Sequence, residues 1–127
     1  MTPNEYQALA LRTEDTPQFL NSEHDLNRCR LLHGSIGLCT ETGELQDAIK
    51  KELIYGREMD RVNIVEESGD LLWYLALVLD SVGSNMEEAM LLNIAKLKKR
   101  FPNGFTEVEA LNRDLESERS ALEGDDG

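Results

Sequence analysis

From His24 to Leu53 nothing interrupts the chain except glycine. Leu32, Ile36, Cys39, Ala48 and Ile49, with Leu45 nearby, recur there at helical spacing. A run of this kind reads as one long helix, with Gly34 or Gly37 as the places for a kink. Gly56 is its stop, and Lys50, Lys51 and Arg57 suit the negative end of the helix dipole. A helix this long requires others to cover it. Asp60 caps the next, from Arg61 to about Ser81, whose main apolar face carries Val62, Val65, Leu72, Leu75, Ala76 and Leu79. Gly83 ends it. Ser84-Asn85-Met86-Glu87 has the form of a capping box and opens a third helix, Asn85 to Arg100, with Ala89, Leu92, Ile94, Ala95 and Leu97. Pro102-Asn103-Gly104 closes that one.

Ahead of these, Thr2-Pro3 is an N-cap with proline in the first turn, and a short helix follows over Asn4 to Thr13, with Tyr6, Leu9 and Ala10 on one side. Thr16-Pro17 interrupts it, and the stretch to Glu23 carries Phe19 and Leu20 inward. No repeat and no strand-like alternation occurs, so the fold class is all-α, of the bundle kind. The two long helices are apolar over more than one narrow stripe, which calls for a partner subunit.

The 127 residues fit one domain. A net charge of −12 excludes the basic surface that nucleic acids or anionic membranes require. It leaves small anionic substrates open, because bound cations invert a local field. The last 22 residues hold eight acids against Arg113 and Arg119, half of the net charge. The expectation is an all-α domain over residues 1–105 and a partly disordered acidic tail over 106–127, its start anchored by Phe105 and Val108. Cys29 and Cys39 lie ten residues apart on one helix, about 15 Å of rise, too far for a disulfide. Unpaired thiols and the absence of a long apolar run point to a cytoplasmic protein.

Two stretches carry chemistry: Glu41-Thr42-Gly43-Glu44 and Glu67-Ser68-Gly69-Asp70. Each sets two carboxylates three residues apart, about 60° around a helix. Either pair alone is an ordinary surface spacing. Together they are four hard oxygen ligands on neighbouring helices, which repel one another unless a cation such as Mg²⁺ or Mn²⁺ sits among them. Gly43 and Gly69 lie inside the pairs, and glycine disfavours a helix by about 1 kcal/mol; their recurrence points to a close helix–helix approach there. A di-iron carboxylate site requires Glu-x-x-His, and neither His24 nor His33 stands three after a glutamate.

On the third helix Asn93, Lys96 and Arg100 fall on one strip. Lys96 and Arg100 suit phosphate oxygens; the plainer reading is an exposed face with cations near the C-terminal end. Trp73 and Tyr74 follow the second acidic pair, placed to stack on a base or simply to pack.

In this combination the chain resembles the MazG-like all-α nucleoside triphosphate pyrophosphohydrolases. The resemblance rests on Glu41-x-x-Glu44, a 22-residue spacer, Glu67-x-x-Asp70, Leu38 to Leu45 in context, and the run from Asn93 to Phe105. It implies a four-helix core assembled as a homodimer or homotetramer. It implies Mg²⁺-dependent hydrolysis of nucleoside or deoxynucleoside triphosphates to the monophosphate and pyrophosphate, by attack of a metal-activated water on the α-phosphorus. Glu41, Glu44, Glu67 and Asp70 would hold metal, with Glu41 or Glu44 orienting the water. Lys96 and Arg100 would hold phosphates, with Asn93 and Tyr74 near the nucleotide. Many relatives carry a further glutamate where this chain has Thr40. Glu66 is the spare acid, close enough on the helical projection to replace Glu67. The competing readings are a phosphoribosyl-ATP pyrophosphatase on the same scaffold and a non-catalytic helical metal-binding module.

Overall fold

The computed structural model describes residues 1–15 and 22–124. The expectations for Thr16-Pro17, Phe19 and Leu20, and for the last acids of the tail, lie outside the described residues. Six helices form, and no strand among the described residues: α1 (Pro3–Leu11), α2 (Glu23–Leu53), α3 (Arg61–Ser81), α4 (Met86–Arg100), α5 (Glu107–Leu111) and α6 (Leu115–Glu123). The protein is all-α. Its contacts divide it into Met1–Met86 and a unit from Glu87 onward.

In the first unit α3 is the central element, with α2 and α1 packed against it. The caps form as their residues dictate. Thr2 and Glu5 make a reciprocal capping box at α1, Ser22 accepts from Asp25 at α2, and Asp60 accepts from Asn63 at α3. Gly56 and Gly83, after α2 and α3, take left-handed φ values of 62° and 76°, which favour glycine. α2 runs unbroken over 31 residues.

The close approach is made at Gly34 and Gly37. A Cβ on Gly34 would lie 2.6 Å from Val78 Cγ2, and one on Gly37 would collide with the ring of Tyr74. The expected close approach at Gly43 and Gly69 does not occur: each has open space where a Cβ would project. Residue 34 meets 78, 37 meets 74 and 41 nears 70, so α2 and α3 run antiparallel.

The faces are distributed differently from the expectation. α2 buries Gly34, Gly37 and Ala48, and α3 buries Glu67, Ala76 and Leu77. Leu32, Ile36, Val62, Val65, Leu72 and Leu75 stay exposed, Val62 by 79%. On α2 the side with Gly34, Gly37 and Ala48 is covered rather than the side with Leu32 and Ile36, and the two glycines allow Tyr74 and Val78 of α3 the nearer approach. On α1, likewise, Leu9 is exposed and Gln7 is buried. Gln7 Nε2 donates to Ala76 O (3.1 Å) and its Oε1 accepts from Met86 N (2.9 Å). Arg30 grips Glu14 through Nε (2.6 Å) and Nη2 (2.9 Å), and the same Nη2 reaches Asp80 at 2.7 Å. That fork raises the Arg30 pKa, the hydrogen bond with Glu14 contributing most.

In the second unit the acidic segment after Thr106 folds into α5 and α6. Glu118 and Ala121 are buried. Arg113 donates twice to Glu118, at 3.1 and 2.6 Å, which holds that carboxyl below its ordinary pKa. Phe105 and Val108, expected as anchors, are 75% and 70% exposed. Cys29 and Cys39 are free. Among the described residues no helix is long and apolar enough to cross a membrane.

Candidate active site

The register set by Gly34 and Gly37 places the next turns of α2 and α3 face to face. Glu41 from α2 meets Glu67 and Asp70 from α3, and one carboxylate oxygen from each lies within 4.8 Å of the others. Glu67 is buried, only 6% exposed, while Asp70 is exposed. Glu44 is exposed and stands outside this triad. It lines a second cavity, of about 470 Å³, with Gly43, Asp47, Lys51, Asn63 and Glu67. Glu66, the spare acid, is exposed and not part of the triad.

The electrostatics of the triad are those of crowded anions. Glu41 has its pKa raised, first by desolvation and then by the charges of Glu44, Asp70 and Glu67. Only a hydrogen bond from Thr40 opposes this. The Thr40 hydroxyl lies 3.3 Å from Glu41 Oε1 and 2.9 Å from Gly37 O, so its one proton is shared between a carboxylate and a helix carbonyl. The neighbouring Asp47 shows the contrast: hydrogen bonds from Lys50 and Lys51 hold its pKa down to about 2. Three carboxylates at this spacing, one of them buried, fit a hard divalent cation.

An aromatic wall adjoins the acids. Trp73 and Tyr74 pack edge to face, ring centroids 5.0 Å apart, and His33 lies 6.3 and 5.7 Å from them. Together with Thr13, Glu41 and Asp70, the two α3 aromatics line a cavity of about 410 Å³. Thr13, just beyond α1, supplies the wall from that side. Trp73 Nε1 points at Ala10 O (3.0 Å) and Thr13 Oγ1 (2.9 Å). The Tyr6 hydroxyl donates to Gly69 O at 3.4 Å, and burial, then the charge of Asp70, raises its pKa. Thr13 and Tyr6 were not singled out as site residues from the sequence, where α1 carries no motif. Asn63 donates from Nδ2 to Glu67 Oε1 at 2.7 Å; its spacing of four from Glu67 was the available signal.

The remaining candidates belong to the second unit. Asn93 is exposed and Lys96 half-buried. Arg100 stacks on Phe101, 4.9 Å from the ring centroid. Its Nη2 donates to Ala110 O at 3.0 Å, and its Nε stands 4.0 Å from Glu118.

An all-helical domain thus sets an acidic triad beside an aromatic cleft. The family is given by comparison with known proteins: the model of the MazG nucleotide pyrophosphohydrolase domain matches residues 35–105. That is more than half of the chain, and the chain belongs to this family. The matched segment includes Glu41, Glu44, Glu67 and Asp70, together with Tyr74, Asn93, Lys96 and Arg100. No curated protein and no solved structure matches the chain.

Proposed function

We propose that the protein hydrolyses nucleoside or deoxynucleoside triphosphates to the monophosphate and pyrophosphate, with Mg²⁺ (or Mn²⁺) as cofactor. The observation that carries this reading is the meeting of Glu41, Glu67 and Asp70 oxygens within 4.8 Å, inside the segment that matches the pyrophosphohydrolase family. Glu41, Glu67 and Asp70 would hold the cation, with Glu44 as the fourth carboxylate of the set. When bound, a divalent ion supplies positive charge for the triphosphate oxygens and acidifies a coordinated water.

The chain's own groups do the rest. Glu41 or Glu44 orients the water that attacks the α-phosphorus and accepts its proton. The water oxygen bonds to that phosphorus as the bond to the bridging oxygen of pyrophosphate breaks. Tyr74, with Trp73, forms the wall against which the nucleoside rests. Lys96 and Arg100 neutralise the departing phosphates, with Asn93 beside them; these three enter on the resemblance alone. Leu32, Ile36, Val62 and Val65, exposed on the two long helices, are the surface on which a second copy completes a four-helix core. The same balance of charge keeps nucleic acid and membrane out of the partner list, in keeping with a cytoplasmic enzyme.

The test is pyrophosphate release across canonical and modified NTPs and dNTPs, with phosphoribosyl-ATP as an added arm, under Mg²⁺ and then Mn²⁺. Release that disappears in Glu44→Gln and Asp70→Asn, with helicity unchanged, supports the reading. Release from phosphoribosyl-ATP alone moves the assignment to that substrate. No release from any nucleotide makes the protein a non-catalytic metal-binding module.

A further inference from the structure

We infer that Asn63 positions Glu67 to receive the cation, a role that rests on the metal-dependent reading above. Glu67 is the one buried carboxylate of the triad. Its Oε1 accepts from Asn63 Nδ2 at 2.7 Å, within the range of a well-formed hydrogen bond. An ionised carboxylate can only accept, so the amide is read with its nitrogen toward Glu67. Holding one oxygen restricts the rotation of the carboxylate.

Asn63 is itself held. Its backbone N–H donates to Asp60 Oδ1 at 3.0 Å, the N-cap bond of α3. The amide side chain stands four residues before Glu67, the helical spacing at which side chains meet. One short segment, Asp60 to Glu67, thus runs from a capped helix end through an anchored amide to a buried ligand.

The residue type suits the task. An aspartate at 63 would add another anion beside three carboxylates whose oxygens already lie within 4.8 Å of one another. A lysine or arginine would bring a positive charge to compete with the cation. A neutral donor orients Glu67 and does neither. Partners of this kind, one bond removed from the metal, change affinity by about 10- to 100-fold when lost.

The experiment is Mn²⁺ titration of the full chain by calorimetry, with the melting curve of the metal-free protein recorded alongside. Asn63→Ala is expected to weaken Mn²⁺ binding about 10- to 100-fold while metal-free helicity is unchanged. In a Glu67→Gln background the same substitution is expected to add nothing, because Asn63 acts through Glu67. Asn63→Ser, at home in a first helical turn and too short to reach Glu67, serves if Asn63→Ala melts early. Binding within threefold of the native protein in both variants overturns the inference and leaves the metal reading intact. Equal weakening by Asn63→Ala with and without the Glu67 carboxylate also overturns it. A native protein that binds no Mn²⁺ removes the metal reading and this inference together.

Discussion

Tyr74 lies across Gly37, its ring occupying the space into which a Cβ at that position would project. The same ring forms part of the wall beside Glu41 and Asp70. Gly37→Ala forces the ring or the helix to move, and overpacking of this kind costs about 1–3 kcal/mol. A lower melting temperature, together with a raised KM for nucleotide, is the expected pair of readouts. An unchanged KM would separate Tyr74 from the nucleotide.

Glu41 predicts a conflict between stability and function. Its folded pKa lies above the ordinary 4.5, so the folded protein binds this proton more readily than the unfolded chain. The group therefore favours folding least above its folded pKa, and its penalty is relieved as pH falls through that value toward 4.5. Glu41→Gln removes the penalty at neutral pH. In EDTA the variant is expected to melt higher than the native protein, and with Mg²⁺ to release no pyrophosphate.

The opposite sign holds at Glu118. Arg113 depresses its pKa below 4.5, so its contribution is present above pH 4.5 and lost as pH falls through the folded value. Thermal melts at descending pH are expected to show native protein losing stability in this window. Glu118→Gln, already without the ion pair, has no such contribution from this residue to lose. Equal acid sensitivity in the two would remove Glu118 as a source.

Gln7 is a buried amide with both ends engaged, at Ala76 O and Met86 N. Gln7→Ala leaves a carbonyl and an N–H without these partners, and unfolding by denaturant is expected to show a loss of about 1–3 kcal/mol. Gln7→Glu retains only the acceptor and is expected to be destabilised as well.

Metal linkage gives a measurement independent of turnover. At a free Mg²⁺ concentration a hundred times its Kd, one site specific to the folded state stabilises by about 2.7 kcal/mol. The rise in melting temperature should vanish in Asp70→Asn and reverse on adding EDTA. A rise that survives in that variant would place the ion elsewhere.

Much of this could be read from the residues, and the rest depended on geometry that spacing does not carry. α2 and α3 were legible because their length, period and caps agree. Which apolar side of α2 would be covered was not: Leu32 and Ala48 both sit at helical spacing, and only the approach at Gly34 and Gly37 decides between the faces. Gly43 and Gly69 illustrate the same limit. Their intrinsic penalty in a helix equals that of Gly34 and Gly37, and only the latter pair has a neighbour pressed against it. Glu41, Glu67 and Asp70 were visible as acids on suitable faces. That Glu44 faces a different cavity follows from the rotation of α2 against α3, which a three-residue interval leaves open.

The chain has a single tryptophan, and it is the one in the cavity wall with Glu41 and Asp70. Its indole is tethered to Ala10 and Thr13 and faces Tyr74 edge-on. The protein therefore carries a built-in optical reporter. With no other indole to dilute the signal, tryptophan emission excited selectively over tyrosine reads this cleft, and a titration with cation or nucleotide needs no label.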